Sequence, residues 1–297
     1  MKILNIALLA TLLALIVGCN KDEVAENYFT VSTEKTTYKK GEIINFNFSG
    51  NPDFISFYSG ELGFNYENKD RNILNGKVEL RFSTYMQSGM QLNSLQLLTS
   101  SNFNGSFTKV GLKTGTWTDI TRRAVLSTGA DNTASGVVDI SDLVMPYKQM
   151  YFAFRKIDTN SPTLLPSQWT VKSFNLDVKL LDDSLFPIAT LSNIGWTAID
   201  SLNSTYKWTV SSTALISGGG GLNTPENEDW VVTKALTPLN VAPDITLPVK
   251  WIDAKRTDNF SYTYNIPGTY KAVFVTKNQN INSQQFKIKE ILLTITN

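Results

Sequence analysis

Beyond residue 27, apolar and polar positions alternate with a period of two. In "EIINFNF" Ile44, Phe46 and Phe48 fall on one face, and in "KVELRF" Val78, Leu80 and Phe82 do the same. "FNLDVKL" repeats the pattern with Phe174, Leu176, Val178 and Leu180. Alternation of this length predicts strands with one buried face. "QMYFAFRKI", "DWVVTKAL", "FSYTY", "TYKAVFVTK" and "EILLTIT" read as further strands, being rich in aromatic and β-branched residues. Turn signals at Ser49-Gly50-Asn51-Pro52, Asn104-Gly105, Gly218–Gly221 and Pro267-Gly268 separate them. No helical stripe persists for three turns; only "SDLVMPY" reads as a single turn. No internal repeat with a period of roughly 20–50 residues is present. The pattern predicts an all-β protein built from two sandwiches.

The first eighteen residues break this pattern. Lys2 is followed by an apolar run of about fifteen residues, short of the roughly twenty that span a bilayer as a helix. The run ends in Ile16-Val17-Gly18-Cys19, which resembles a bacterial lipobox, and that resemblance makes Cys19 the lipid-attachment residue. Residues 1–18 are therefore expected to be a lipoprotein signal peptide and 19–27 a tether. Lys21-Asp22-Glu23 resembles the surface-export signal of Bacteroidota-type lipoproteins; read without that resemblance, "NKDEVAEN" is a short polar tether. The expected localisation is the outer membrane, lipid-anchored and facing the cell exterior. Several acyl chains at Cys19 suffice for stable anchoring.

Composition narrows the chemistry. The chain has no histidine and one cysteine, which excludes Ser-His-Asp and Cys-His catalysis, histidine-ligated zinc and an intrachain disulfide. Cleavage before Cys19 removes Lys2 and no acid, leaving 26 residues of each sign. No basic stripe appears, so nucleic acid is not an expected partner. Any metal would be bound by oxygen donors; Asp139 and Asp142, with Asn102 and Asn104, are the weak calcium candidates, without EF-hand spacing. Otherwise no cofactor is expected.

Glycoside hydrolysis needs two carboxylates facing each other across a sugar. Asp139/Asp142, Asp182/Asp183 and Glu228/Asp229 are all local pairs, and neighbours on a strand point to opposite faces. No catalytic residue is assigned. The six tryptophans carry more information: an exposed indole can stack on a sugar, whereas a buried one is core. Trp169 and Trp230 lie in apolar strands and read as core. Trp196, which follows Gly195, and Trp208 with Tyr206 read as platform candidates. "SGGGGLNTPENED" is a polar loop with no following helix, so it is not a phosphate cradle, and it is placed at the rim of a binding face.

The stretch "FYSGELGFNYENKDR" holds Ser59 outside any Gly-x-Ser-x-Gly pattern. It reads as a turn where the chain leaves one domain, with a ligand loop using Glu61, Tyr66 and Arg71 as the alternative. Together with Tyr264-Asn265-Ile266-Pro267-Gly268-Thr269-Tyr270, it resembles the two ends of an immunoglobulin-like domain of the polycystic-kidney-disease type. The Trp and Asp of that family's turn are absent. The segments "LQLLTSSNFNGSF", "TWTDITRRAVL" and "GGGGLNTPENEDWVVTKAL" resemble galactose-binding-like jelly rolls of adhesin and choice-of-anchor proteins. The mature chain also resembles an uncharacterised Bacteroidota lipoprotein family that accompanies glycan-uptake machinery, through "FYSGE", "WTDITRR" and "EDWVVTK".

These resemblances imply an immunoglobulin-like sandwich from 28–71 and 246–297, with a jelly roll at 72–245 inserted. They imply a non-catalytic glycan-binding accessory of a polysaccharide-uptake system. The alternative is a structural or adhesive module that binds cell-surface protein; a glycoside hydrolase is the third reading.

Overall fold

The computed structural model describes residues 24–297, and Cys19, Lys21, Asp22 and Glu23 lie outside the described residues. The chain begins with β1 (Phe29–Ser32), β2 (Thr37–Lys39), β3 (Ile43–Gly50) and β4 (Phe54–Tyr58). There follow β5 (Gly76–Gln87), β6 (Leu95–Ser100), β7 (Thr118–Asp119), β8 (Thr133–Ala134), β9 (Val138–Asp139) and β10 (Tyr151–Asp158). Next come β11 (Gln168–Leu180), β12 (Leu185–Thr190), β13 (Thr197–Leu202), β14 (Thr209–Val210), β15 (Leu215–Ile216) and β16 (Asn227–Val232). The last strands are β17 (Leu247–Lys250), β18 (Asn259–Thr263), β19 (Gly268–Gln279) and β20 (Gln284–Thr296). The protein is all-β, and it divides into two compact units: the chain through Arg71 with Ala242–Asn297, and Asn72–Val241.

In the discontinuous unit, sheet β1-β3-β18 faces sheet β17-β4-β19-β20-β2. Alternation in β3 buries Ile44, Phe46 and Phe48 and exposes the residues between them. Those rings meet Ile55 and Phe57 of β4 and Ala272 and Phe274 of β19 in one core. Phe274 lies 5.0 Å from Phe46, 5.3 Å from Phe48 and 4.8 Å from Phe57, so one ring couples both sheets. The sequence placed the return into this unit at residue 246. It occurs at Ala242, because Asp244 N already donates to Asn68 O and Ile245 N to Gly63 O.

In the continuous unit, sheet β13-β16-β10-β6-β7 faces sheet β14-β15-β11-β5-β8, with β12 added on β11 and β9 on β5. Phe82 and Leu80 from one sheet pack with Phe152, Phe154 and Val231 from the other. The first of these sheets is buried on its outer face too. Leu98, Tyr151, Ala153, Ile199, Trp230 and Val232 form a second cluster there with Phe103 and Leu112. The cover is the segment after β6, whose single helical turn Lys109–Leu112 is capped by Thr108, its side chain accepting from Gly111 N at 3.0 Å. Hence β6 and β16 are buried almost continuously instead of alternately.

Removing the ring of Phe274 takes the shared contact from both sheets. Phe274→Ala is expected to lower the stability of the discontinuous unit by about 3–5 kcal/mol, read from its own urea transition. A loss below about 1 kcal/mol would mean that the two sheets do not share this core.

Candidate functional site

The "FYSGELGFNYENKDR" stretch is a braced turn. Ser59 is fully buried; its carbonyl accepts from Tyr264 OH at 2.7 Å, and its Oγ donates to Glu61 Oε2 at 3.1 Å. The same Glu61 Oε2 also accepts from Tyr262 OH at 2.5 Å, so one carboxylate oxygen takes both hydroxyls. Gly60 has φ +84° and a Cβ there would stand 2.8 Å from Lys271 O, a conformation and a gap that suit glycine alone. Tyr66 packs edge-on against Tyr58 at 5.4 Å, beneath Lys69. Arg71 pairs with buried Asp244 at 2.6 Å, and Asp244 also accepts from Asn65 N at 2.9 Å. Glu61, Tyr66 and Arg71 thus each have a partner in or beside the turn, as the structural reading of this stretch expects. Burial raises the Tyr264 and Tyr262 phenols above their ordinary value, so both stay neutral donors.

The aromatic platform is corrected as well. Trp208 is 3% exposed, and its Nε1 donates to Asp229 O at 3.3 Å. Trp196 wedges between the sheets, 5.1 Å from Phe174 and 5.8 Å from Phe154. Tyr206 is half-buried and lies against Gly218, where an added Cβ would meet its backbone at 3.2 Å. Trp230 and Trp169 are core, and Trp117 packs on Trp230 at 5.2 Å. The exposed indole is Trp251, 59% accessible, in the discontinuous unit. A loop position next to glycine does not reveal exposure when the neighbouring sheet edge leaves a hole to fill.

The calcium candidates are occupied by protein. Asp142 forms a two-pronged pair with Arg123 at 2.6 and 2.9 Å, which holds its carboxyl below the usual range. Asp139 accepts from Ser141 Oγ and N at 2.6 and 2.9 Å, with the same effect. Asn102 Oδ1 accepts from Thr116 N at 2.7 Å, and Asn104 Oδ1 from Ser106 N at 2.9 Å. Asp139 and Asn104 cap local turns, Asp142 and Asn102 bond to distant segments, and among the described residues no group of three or more acids, histidines or cysteines is placed to hold a metal.

A cavity of about 360 Å³ opens in the continuous unit between the end of β5, the loop after it and residues 121–128. Trp169 and Met86 floor it with Ala124 and Leu126; Asn93, Thr128 and Arg122 stand at its rim. That volume and lining suit a small ligand or one or two sugar units. The motif "TDITRR" builds one wall, residue by residue. Asp119 caps the turn by accepting from Thr121 N at 2.8 Å, and Ile120 is buried in the core. Thr121 Oγ1 accepts from Leu97 N at 2.9 Å and fixes the wall to β6. Arg123 takes Asp142, and Arg122 projects to solvent with no ion pair among the described residues. None of the six expected ligand residues lines this cavity. The signal available in the sequence was the doubled arginine, of which one partner is spent on Asp142.

A second feature lies between the sheets. The paired acids Glu228 and Asp229 point to opposite faces of β16. Burial raises Glu228, but hydrogen bonds from Arg155 and Trp230 outweigh it and hold the carboxyl below its ordinary value. Asp229 faces inward, 1% exposed, beside Lys156, Asp158 and Asn227. Burial pushes its carboxyl up to about 7, with the charges of Asp200 and Asp158 adding to the rise against the hydrogen bond from Asn227. A raised value means that the folded state keeps a proton which the unfolded state has lost. Its stabilising effect is complete below 3.8 and disappears as pH climbs to about 7. Urea titrations are expected to show wild type losing stability across that window and Asp229→Asn losing less; identical slopes would contradict the burial of a protonated Asp229.

The family model for a domain of unknown function, DUF5017, matches residues 18–196, which include every residue lining the cavity around Trp169. No curated protein matches the chain, and no solved structure does. By that match over more than half its length, the chain belongs to the DUF5017 family.

Proposed function

We propose that the protein is a lipid-anchored outer-membrane surface protein that binds glycan without cutting it, as an accessory of polysaccharide uptake. The observation that carries this reading is the Trp169 cavity: an apolar floor, hydroxyl and amide groups at the rim, and the unpaired guanidinium of Arg122. A guanidinium in that position favours a sugar bearing carboxylate or sulfate, which it can grip with two parallel hydrogen bonds. The lipobox-like end of the leader and Lys21-Asp22-Glu23 support anchoring and export. We read the discontinuous unit as immunoglobulin-like and the continuous one as a galactose-binding-like jelly roll, on the two-sheet topology of each, in a lipoprotein of Bacteroidota type. No acid–base pair is invoked, so bound glycan is expected to be recovered uncut.

The adhesive reading keeps one observation of its own. On the outward face of the β4-β19-β20 sheet, Phe54, Lys277 and Phe286 stand in register, with Val275 and Ile288 in the next row. Phe286 and Leu292 are 58% and 62% exposed, an apolar surface of the kind that meets protein.

Two measurements test the proposal. Arg122→Ala is expected to weaken retention on an acidic polysaccharide by about 1.5–3 kcal/mol, roughly ten- to a hundredfold, with an unchanged melting transition. Thr128→Trp at the rim should do the same by blocking entry. Undiminished binding by both would remove the cavity from the reading, release of reducing ends would replace it with hydrolysis, and capture of protein alone would favour the adhesive module. For the anchor, Cys19→Ala is expected to abolish incorporation of labelled fatty acid, and replacement of Lys21, Asp22 and Glu23 by alanine to leave lipidated protein shielded from protease added to whole cells. Labelling of the Cys19 variant would rule out lipidation there.

A further inference from the structure

The inward-facing group at one end of the continuous unit is unusual in composition. Along β10 the inner face reads Phe152, Phe154, Lys156, Asp158, and along β16 it reads Asn227, Asp229, Val231; the register pairs Lys156 with Asp229 and Asp158 with Asn227. Lys156, Asn227 and Asp229 are each 1% exposed and Asp158 3%. Lys156 Nζ donates to Asp158 Oδ2 and, at 2.6 Å, to Gly218 O. Asn227 Nδ2 donates to that same Asp158 Oδ2 at 3.3 Å and to Asp229 Oδ2 at 2.9 Å. One carboxylate oxygen therefore touches both the amine and the amide. Meanwhile Asp158 Oδ1, Asn227 Oδ1 and Asp229 Oδ1 are buried with no hydrogen-bond partner. The other ionisable group nearby is Asp200, opposite Asp229 on the edge strand β13 and open to solvent.

As separate side chains these four are costly: a buried ammonium, two carboxyl groups and three unsatisfied oxygens in a low-dielectric interior. We propose that Lys156 and Asn227 are joined by an amide bond between their side chains, formed by the protein on itself with Asp158 as the proton carrier. Asp158 Oδ2 takes a proton from the Lys156 ammonium, which leaves a neutral amine and removes two buried charges. The amine lone pair attacks Cγ of Asn227 and the C=O pair moves onto Oδ1. Asp158 returns its proton to Nδ2, the C–N bond breaks, and ammonia leaves; a second Nζ proton passes to Asp158. The net change converts an ammonium, a carboxylate and a primary amide into a secondary amide, a carboxylic acid and ammonia. Nothing is oxidised and no co-reactant is consumed.

The product answers the geometry. The new N–H stays beside Asp158. Asn227 Oδ1 becomes an amide carbonyl beside Asp229, whose carboxyl burial pushes toward the protonated form that is able to donate to it. The bond crosses from β10 to β16 and links positions seventy-one apart in the chain, Lys156 and Asn227. A chain with a single cysteine has no disulfide with which to make such a closure. The inference does not depend on glycan binding.

Tryptic peptide mapping of the full chain by mass spectrometry tests it directly. Trypsin cannot cut after an acylated lysine, so the bond predicts a branched species joining residues 156–172 to 208–234. It should be lighter than the two peptides together by one ammonia, with fragmentation placing the link at Asn227. Asn227→Ala and Lys156→Met should each abolish it, and Asp158→Ala should leave the two peptides unjoined. Wild-type protein that yields linear peptides cut after Lys156 would overturn the proposal whatever the variants do. A branched species lighter by one water, with its link at Asp229, would overturn Asn227 as the acceptor.

Discussion

The alternation of side chains along β10, held between β6 and β16, governs the continuous unit. The strand has no free edge, and over Tyr151–Phe154 each residue faces either the opposing sheet or the covering segment. Phe152 and Phe154 are committed to the inter-sheet core, Tyr151 and Ala153 to the outer cluster. The same rule then carries Lys156 and Asp158 inward, where Asn227 and Asp229 arrive from β16. A pattern that makes a core at one end of a strand makes a sealed polar chamber at the other. Burial raises the Asp229 carboxyl there and leaves three oxygens without partners.

Double-sided burial also explains why Trp169, Trp208 and Trp230 are core. A sheet covered on both faces needs large apolar side chains on both, and Trp230 with Trp117 supplies the outer layer. Trp196 and Trp208 close gaps at the edges of the inner layer. One pocket that remains open lies beside Trp169, where the wall made by residues 119–123 is fixed by its own turn hydrogen bonds. There rigidity comes from small polar contacts and affinity would come from the apolar floor, a division common to preformed sites.

In the discontinuous unit the corresponding constraint is the aromatic core around Phe274. Chain ends separated by the whole inserted unit meet in it, and the polar turn at Ser59 to Glu61 is secured by Tyr262 and Tyr264 from the far segment. Serine and glutamate at that turn are structural because two phenols already satisfy them. The bond from Arg71 to Asp244 ties the departing chain to the returning one.

By itself the sequence determined the all-β class, since period-two alternation in β3, β5 and β11 has no other reading, and the absence of histidine removed whole classes of chemistry. It also led correctly to Trp169 and Trp230 as core, through the apolar residues on both sides of them. Tertiary structure alone decided which loop-borne aromatics are buried, because exposure depends on what the next sheet leaves uncovered. It decided that Asp139 and Asn104 cap turns, that Asp142 binds Arg123 and that Asn102 accepts from Thr116 N. And it decided that residues 156, 158, 227 and 229 meet, because strand register across some seventy residues of intervening chain leaves no trace in local pattern.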